Sequence, residues 1–399
     1  MKNPVRLFPL FLLTGFLPVL AGCSDAGSIY SNYRELEYIQ LVQTAGIDDS
    51  NGLIGLSVSA SGGDPSAEPV LISCEGPSIV KAMESLQDFT AQEELFFAHT
   101  RYILIGEDAA RKGVEPYLDY FERGTQMRMG MVMFVVREGT AKELIVGPGD
   151  KKHEVTESLS SVERDIILRG QGWPFTCSEV ALSLARSGAA LICAVEAVSG
   201  NGTVYSPPNV QSVIDVGYGV LQDGKLSAWL DTDAARGANL LLNRGGVGTF
   251  LLESEENGLV TVGLDGGSTD IKPVWSEDGH LESIRIKLDY SAGILEMERD
   301  SHDLDAAFLD ELDRLFRETL YSCVSEALEI SRKTGADFLG LGRTIQIRDP
   351  IKFERMPVSW EERLPTINFE IESIGRISRS YDITSPANVY GGGKDHTEN

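Results

Sequence analysis

The chain has 399 residues, of which 42% are hydrophobic, 24% charged and 8% aromatic; that length suits two or three domains, and that apolar mass excludes a wholly disordered chain. Sixty Asp and Glu against 35 Lys and Arg leave a formal net charge of −25. A surface so acidic repels phosphate backbones and anionic headgroups, so no nucleic-acid partner is expected and membrane attachment must rest on something other than overall charge.

The first residues supply it. Lys2 and Arg6 precede an apolar run over residues 7–20, interrupted only by Pro9, Thr14, Gly15 and Pro18. The run is too short and too broken to span a hydrocarbon core of roughly 30 Å, and it reads as a secretory h-region. Leu20-Ala21-Gly22-Cys23 closes it, the box cut by bacterial lipoprotein signal peptidase; the alternative is an ordinary secretory cut beside an incidental cysteine. Cleavage after Gly22 leaves Cys23 to carry diacylglycerol on sulfur and an acyl chain on nitrogen. It also removes Lys2 and Arg6, taking the charge from −25 to −27. Two or more acyl chains give stable anchoring where one does not.

Residues 23–32 read as a tether. Strands are expected over 38–47 and 53–60, joined by a hairpin at Asp48-Asp49-Ser50-Asn51-Gly52. Pro77 opens a helix whose apolar face carries Ile79, Met83 and Leu86. A strand at 101–106, one helix over 107–123 and a strand at 129–137 compose a parallel crossover. Helices follow at 155–168 and 178–186, then a strand at 189–198. Gly- and Pro-rich sequence near 200–210 marks a domain change. Beyond it, strands at 216–221 and 225–230 flank Asp223-Gly224, and strands at 271–275 and 281–290 flank Asp278-Gly279, with strands at 248–252 and 259–264 between. An amphipathic helix over 304–332 is stopped by Gly335, a strand occupies 368–377, and 385–399 reads as a disordered tail. The expected fold is α+β and multidomain: a mixed-sheet N-terminal region over 33–200, possibly of two subdomains, then an antiparallel sheet packed on one long helix over 205–384.

Candidate chemistry is sparse. His99, His153, His280, His302 and His396 have no partner at metal-ligand spacing; His99 reads as structural, at the head of a strand. Residues 244–249 (Arg-Gly-Gly-Val-Gly-Thr) lack the Lys and helix of a phosphate cradle and read as a loop. Asp231-Thr232-Asp233 and Asp265-Gly266-Gly267-Ser268 offer hard oxygen ligands without a calcium-loop spacing. No nucleophile elbow or catalytic set stands out. No catalytic residue, cofactor-binding residue, metal site or cofactor is therefore assigned. Cys177 and Cys193 are placed to meet across a helix–sheet interface, and a disulfide between them is permitted outside the cytoplasm. Buried free thiols are the alternative, and Cys323 reads as one, on the apolar stripe of the long helix.

Short motifs then accumulate in order. After the lipobox come Arg34-Glu35-Leu36-Glu37, Ala45-Gly46-Ile47-Asp48, Phe97-Ala98-His99, Ile105-Gly106-Glu107, residues 109–113 and Leu118-Asp119-Tyr120-Phe121-Glu122-Arg123. The second half carries Gly224-Lys225-Leu226-Ser227-Ala228-Trp229, Ala235-Arg236-Gly237-Ala238-Asn239, Asp337-Phe338-Leu339-Gly340-Leu341-Gly342 and Trp360-Glu361-Glu362-Arg363-Leu364-Pro365. In order and spacing this resembles the Ger(x)C family, the C-subunit lipoproteins of spore nutrient germinant receptors, over nearly the whole mature chain. The resemblance implies a non-enzymatic protein on the outer face of the inner spore membrane, partnered by two multi-spanning receptor subunits and held to membrane lipid through Cys23. A solute-binding lipoprotein of an uptake system shares the anchor and size, but should show two lobes with mainly parallel sheets. The acidic domain is expected to stand off the bilayer and take its orientation from protein contacts.

Overall fold

Two five-residue apolar runs without polar alternation, Tyr102–Gly106 (β5) and Val132–Val136 (β6), are buried at every position, as parallel strands covered on both faces must be. The computed structural model describes residues 39–62, 69–90, 93–124, 126–146, 155–199, 211–254, 258–297 and 306–378. Around β5 and β6 stand β1 (Ile39–Ser50), β2 (Leu53–Ser61), β3 (Val70–Gly76), β4 (Glu94–Phe96), β7 (Ala189–Ser199), β8 (Gln211–Gln222) and β9 (Lys225–Leu230). The strand order is β3-β2-β1-β5-β6-β7-β8-β9, with β4 also paired to β1. Neighbours from β1 to β7 run parallel, and antiparallel strands extend the sheet on both sides.

Helices make the crossovers. Ile79–Phe89 (α1) follows β3. Glu107–Lys112 (α2) and Glu115–Arg123 (α3) link β5 to β6, and Ala141–Val146 (α4), Val155–Leu168 (α5) and Cys177–Ser187 (α6) lie between β6 and β7. The helix expected over 107–123 is two, because Gly113 sits at φ 136°, outside helical backbone. Pro77 precedes the N-cap of α1, Ser78, whose hydroxyl accepts from the Lys81 amide. The two tightest hairpins have positive φ at both central residues, Asn51 and Gly52 (52° and 91°) and Asp223 and Gly224 (48° and 72°), the geometry that matches strand twist.

The hairpin β8–β9, which the sequence groups with the C-terminal half, belongs to the first sheet. β8 pairs with β7 from Ala189↔Gln222 to Ser199↔Gln211, and Tyr218, Val220 and Leu221 are fully buried there. The Gly/Pro-rich signals near 200–210 therefore separate two consecutive, pairing strands rather than two sheets.

The second sheet has the order β10-β11-β12-β13: Thr249–Ser254, Gly258–Trp275, Leu281–Met297 and Asn368–Ser378. Residues 259–264 and 271–275, expected as separate strands, are one strand that shifts register at Leu264/Gly266. Gly266 and Gly267 take φ of 147° and 156° there, so the Asp265–Ser268 segment is a bulge and not a turn. The sheet is not wholly antiparallel, because β13 runs parallel to β12. A helix laid across the face returns the chain to the end from which β12 began, so the strand after it must run the same way. That helix is Ala306–Thr334 (α8), ended by Gly335 at φ 71°. Before it comes Thr232–Leu241 (α7), and after it Leu341–Arg348 (α9), Pro350–Glu354 (α10) and Trp360–Arg363 (α11).

The stripe Phe308, Leu312, Phe316, Leu320, Cys323 and Ala327 of α8 is buried. Phe316 meets Phe250 of β10 edge-on at 5.9 Å between ring centroids, and a Cβ at Gly375 of β13 would come within 2.8 Å of its ring. Leu312 and Phe316 have no solvent exposure. Leu312→Ala is expected to lose about 2–5 kcal/mol and Phe316→Ala about 3–5 kcal/mol of unfolding free energy, measured by urea denaturation. Losses below about 0.5 kcal/mol at both would show that the stripe does not pack as described.

Candidate functional site

Most buried polar groups of the motif segments bind backbone. Asp48, at the end of β1, accepts from the amides of Ala141 (2.7 Å) and Lys142 (2.9 Å), closing the start of α4 from across the sheet. A Cβ at Gly106 would collide with its carboxylate, and one at Gly46 would press within 2.7 Å of Ala141 and Ile145. Asp337 accepts from the amides of Leu341 (2.7 Å) and Gly342 (2.8 Å) and from the indole of Trp360 (2.8 Å), while Gly342 leaves room for that ring. Burial pushes both carboxyls above the usual range, against the lowering by their amide donors. Asn239 accepts from the Tyr218 hydroxyl (2.7 Å) and donates to the Gly170 carbonyl (3.0 Å). These residues hold the fold together.

The chemistry candidates fare as follows. Cys23 lies outside the described residues, as do His153, His302 and His396. His99 is exposed on a 3-10 turn, its ring 5.7 Å from that of Phe96. Asp231 precedes α7 and pairs with Arg137 (3.0 Å), and Asp233 pairs with Arg236 (3.1 Å). Asp265 accepts from the Ser378 hydroxyl at 3.2 Å. Among the described residues no group of three His, Cys, Asp or Glu is placed to hold a metal ion. The Gly-rich 244–249 stretch is a loop into β10, with the Arg244 guanidinium over the rings of Trp173 and Phe175 and paired with Glu179. Cys74, Cys177, Cys193 and Cys323 are all buried free thiols, so the Cys177–Cys193 disulfide is absent. The Cys193 thiol donates to the Trp173 carbonyl (2.9 Å). Burial raises Cys177 to about 12 and Cys193 well above the usual thiol range, which keeps both protonated and unreactive.

One surface feature was not foreseen. A cleft of about 1030 Å³ opens between α1, α3 and the β4 segment. Met83, Leu95 and Phe97 form its buried apolar lining, and Glu84, Asp88, Glu93, Glu94 and Arg123 its charged one. Gln87 fixes the wall, donating to the Glu93 carbonyl and accepting from the Leu95 amide, and Gln40 donates to Glu93 at 2.7 Å. Among the described residues its lining holds no His, Cys, Ser or Lys. Its parts come from segments some forty residues apart in sequence, and only the parallel crossover brings them together.

Asp215 of β8 stands apart. Its Oδ1 accepts weakly from Gly217 (3.4 Å), its buried Oδ2 has no partner, and burial lifts it from 3.8 to about 7. A carboxyl raised in the folded state holds its proton more tightly there. Its contribution to stability is therefore full below about pH 4 and lost as pH rises through about 7. Asp215→Asn is expected to flatten the fall in unfolding free energy between pH 4 and pH 8 by up to about 4 kcal/mol, read from urea denaturation at the two pH values. An unchanged pH dependence would mean the carboxyl titrates normally.

Comparison with known proteins agrees with this layout. A family model described as "Spore germination protein N-terminal domain" matches residues 32–172, and one described as "Spore germination B3/ GerAC like, C-terminal" matches residues 216–381. The chain is 26% identical over 391 residues to Spore germination protein KC of Bacillus subtilis (strain 168), covering 91% of this chain and 93% of that protein. Its fold is similar to the crystal structure of the GerBC protein, with a TM-score of 0.54 at 17% identity, over 84% of this chain and 96% of that one.

Proposed function

The chain belongs to the Ger(x)C family of spore germination proteins, and from that premise we propose that it is the lipid-anchored, non-catalytic subunit of a spore germinant receptor. Two family models in sequence order, spanning most of residues 32–381, are the observation that carries this reading. Cleavage after Gly22 leaves Cys23 acylated, and residues 23–32 tether the folded part to the outer face of the inner spore membrane. There it assembles with two membrane-spanning subunits and contributes binding surface. The inward-turned polar groups support this, since Asp48, Asn239 and Asp337 are spent on helix ends and crossings. A solute-binding lipoprotein is the less supported reading: the second sheet has two antiparallel pairs among its three and is no parallel-sheet lobe.

Cys23→Ala should abolish incorporation of labelled acyl chains and release the protein from membranes. Continued labelling of that variant would show the anchor to be elsewhere. Spores lacking the gene should stay dormant toward one class of nutrient, still respond to stimuli that bypass receptors, and be depleted of the membrane subunits. Normal nutrient germination after removal of this gene and every paralogous receptor would overturn the assignment.

A further inference from the structure

We propose that the corner formed by α9 and α10 is a bilayer-contacting surface, which seats the acidic domain on anionic lipid headgroups. The observation is a local reversal of the chain's composition. Between residues 343 and 355 stand four cations, Arg343, Arg348, Lys352 and Arg355, against two carboxylates, Asp349 and Glu354, in a chain of net charge −25. All four cations are exposed. Beside them Ile347 and Ile351 are 65% and 64% exposed, and Val358 42%. Two exposed isoleucines four residues apart, each followed directly by a cation (Arg348, Lys352), have the composition of an interfacial segment, with aliphatic groups for the acyl boundary and cations for the headgroups.

The corner is held firmly. The half-buried Asp349 accepts from the Trp275 indole at 2.9 Å, and the Lys352 ammonium lies 5.6 Å from the centre of that ring. Arg348 pairs with Asp270 of β11. Pro350 sits in the first turn of α10 with its fixed φ, and Phe353 and Met356 pack against the core. Arg343, Lys352 and Arg355 pair with no carboxylate of the described residues. The exposed isoleucines are thus presented by a firmly held corner in which Arg348 is paired internally and Arg343, Lys352 and Arg355 are left for other partners.

Charge complementarity chooses the occupant. Two other exposed apolar groups carry carboxylates instead. Val80 lines the cleft of Glu84 and Asp88, Phe89 follows Asp88 in sequence, and Leu251 and Leu295 of the second sheet neighbour Glu253 and Glu296 in sequence. Both would meet anionic lipid unfavourably. At physiological ionic strength the Debye length is about 8 Å, so carboxylates farther away are largely screened while cations at the surface act in full. The stand-off expected from net charge then applies to the rest of the surface and not to this corner. The inference goes beyond the acyl anchor, because it concerns a contact made by the protein itself.

The test uses the full mature chain carrying Cys23→Ser, so that binding neither needs nor reports lipidation. Co-flotation is measured with vesicles of phosphatidylcholine alone and with about one-third phosphatidylglycerol. The chain should float with the anionic vesicles only, and less so as salt is raised. Arg343→Gln, Lys352→Gln and Arg355→Gln together should weaken partitioning on the order of a hundredfold, at about fivefold for each cation. Ile347→Ser with Ile351→Ser should weaken it about tenfold or more, whereas Leu251→Ser with Leu295→Ser should leave it unchanged. Thermal unfolding of each variant checks the fold, and the cation and isoleucine sets are independent, so either folded set decides. No flotation of the parent chain, or flotation that both corner sets leave intact, would overturn the proposal. Failure here with intact acyl labelling at Cys23 would leave the anchor standing.

Discussion

The close crossing of α7 over α8 is the constraint on which the two-sheet arrangement depends. A side chain at Gly237 would collide with the Cys323 carbonyl, so the helices touch backbone to backbone. From that seat three residues reach outward. Asn239 bonds to Tyr218 of β8 and to the Gly170 carbonyl, the Leu240 carbonyl accepts from Tyr290 of β12 at 3.2 Å, and Asn243 exchanges two bonds with Thr269 of β11. A helix of ten residues and the turn that follows it thereby clamp the nine-stranded sheet to the four-stranded one. Buried amide and hydroxyl groups of this kind leave full desolvation penalties behind when a partner is lost. Each contact is therefore worth more to the joint than an average hydrogen bond.

The same economy runs through the molecule. Asp48 and Asp337 are both buried carboxylates, the kind of group that marks catalytic sites elsewhere. Here each is encircled by backbone amides at the start of a following helix, with a glycine making space beside it. Perturbed acidity in such places reports architecture. What faces outward is contact surface: an acidic cleft with an apolar lining on one element set, a cationic aliphatic corner on another. The buried carboxylates are taken up by backbone, and the exterior is differentiated by charge.

How far the sequence alone reached follows from range. The fully apolar runs at β5 and β6, the positive-φ hairpins and the three-and-four spacing of α8 are local signals, and the structure contains them close to where they were expected. Sheet membership is not local. Nothing within residues 211–230 distinguishes a hairpin added to the first sheet from one that starts the second; only the open edge of β7 decides it. The parallel direction of β13 is likewise set by α8 and not by its own residues. α7 was overlooked because its alanines and glycine carry little hydrophobic periodicity, the very smallness that lets it approach α8. The cleft and the cationic corner needed solvent exposure, which periodicity does not supply.

Among the described residues β13 pairs only with β12, and contacts such as Arg285 to Glu370 join residues 85 positions apart. Loop closure over that span must precede any reward from the pairing. Until β13 docks, Phe316 lacks the Gly375 backbone beside it, and one edge of β12 stays open. The second sheet therefore matures late, and for that interval an otherwise folded molecule presents an unpaired strand edge on β12.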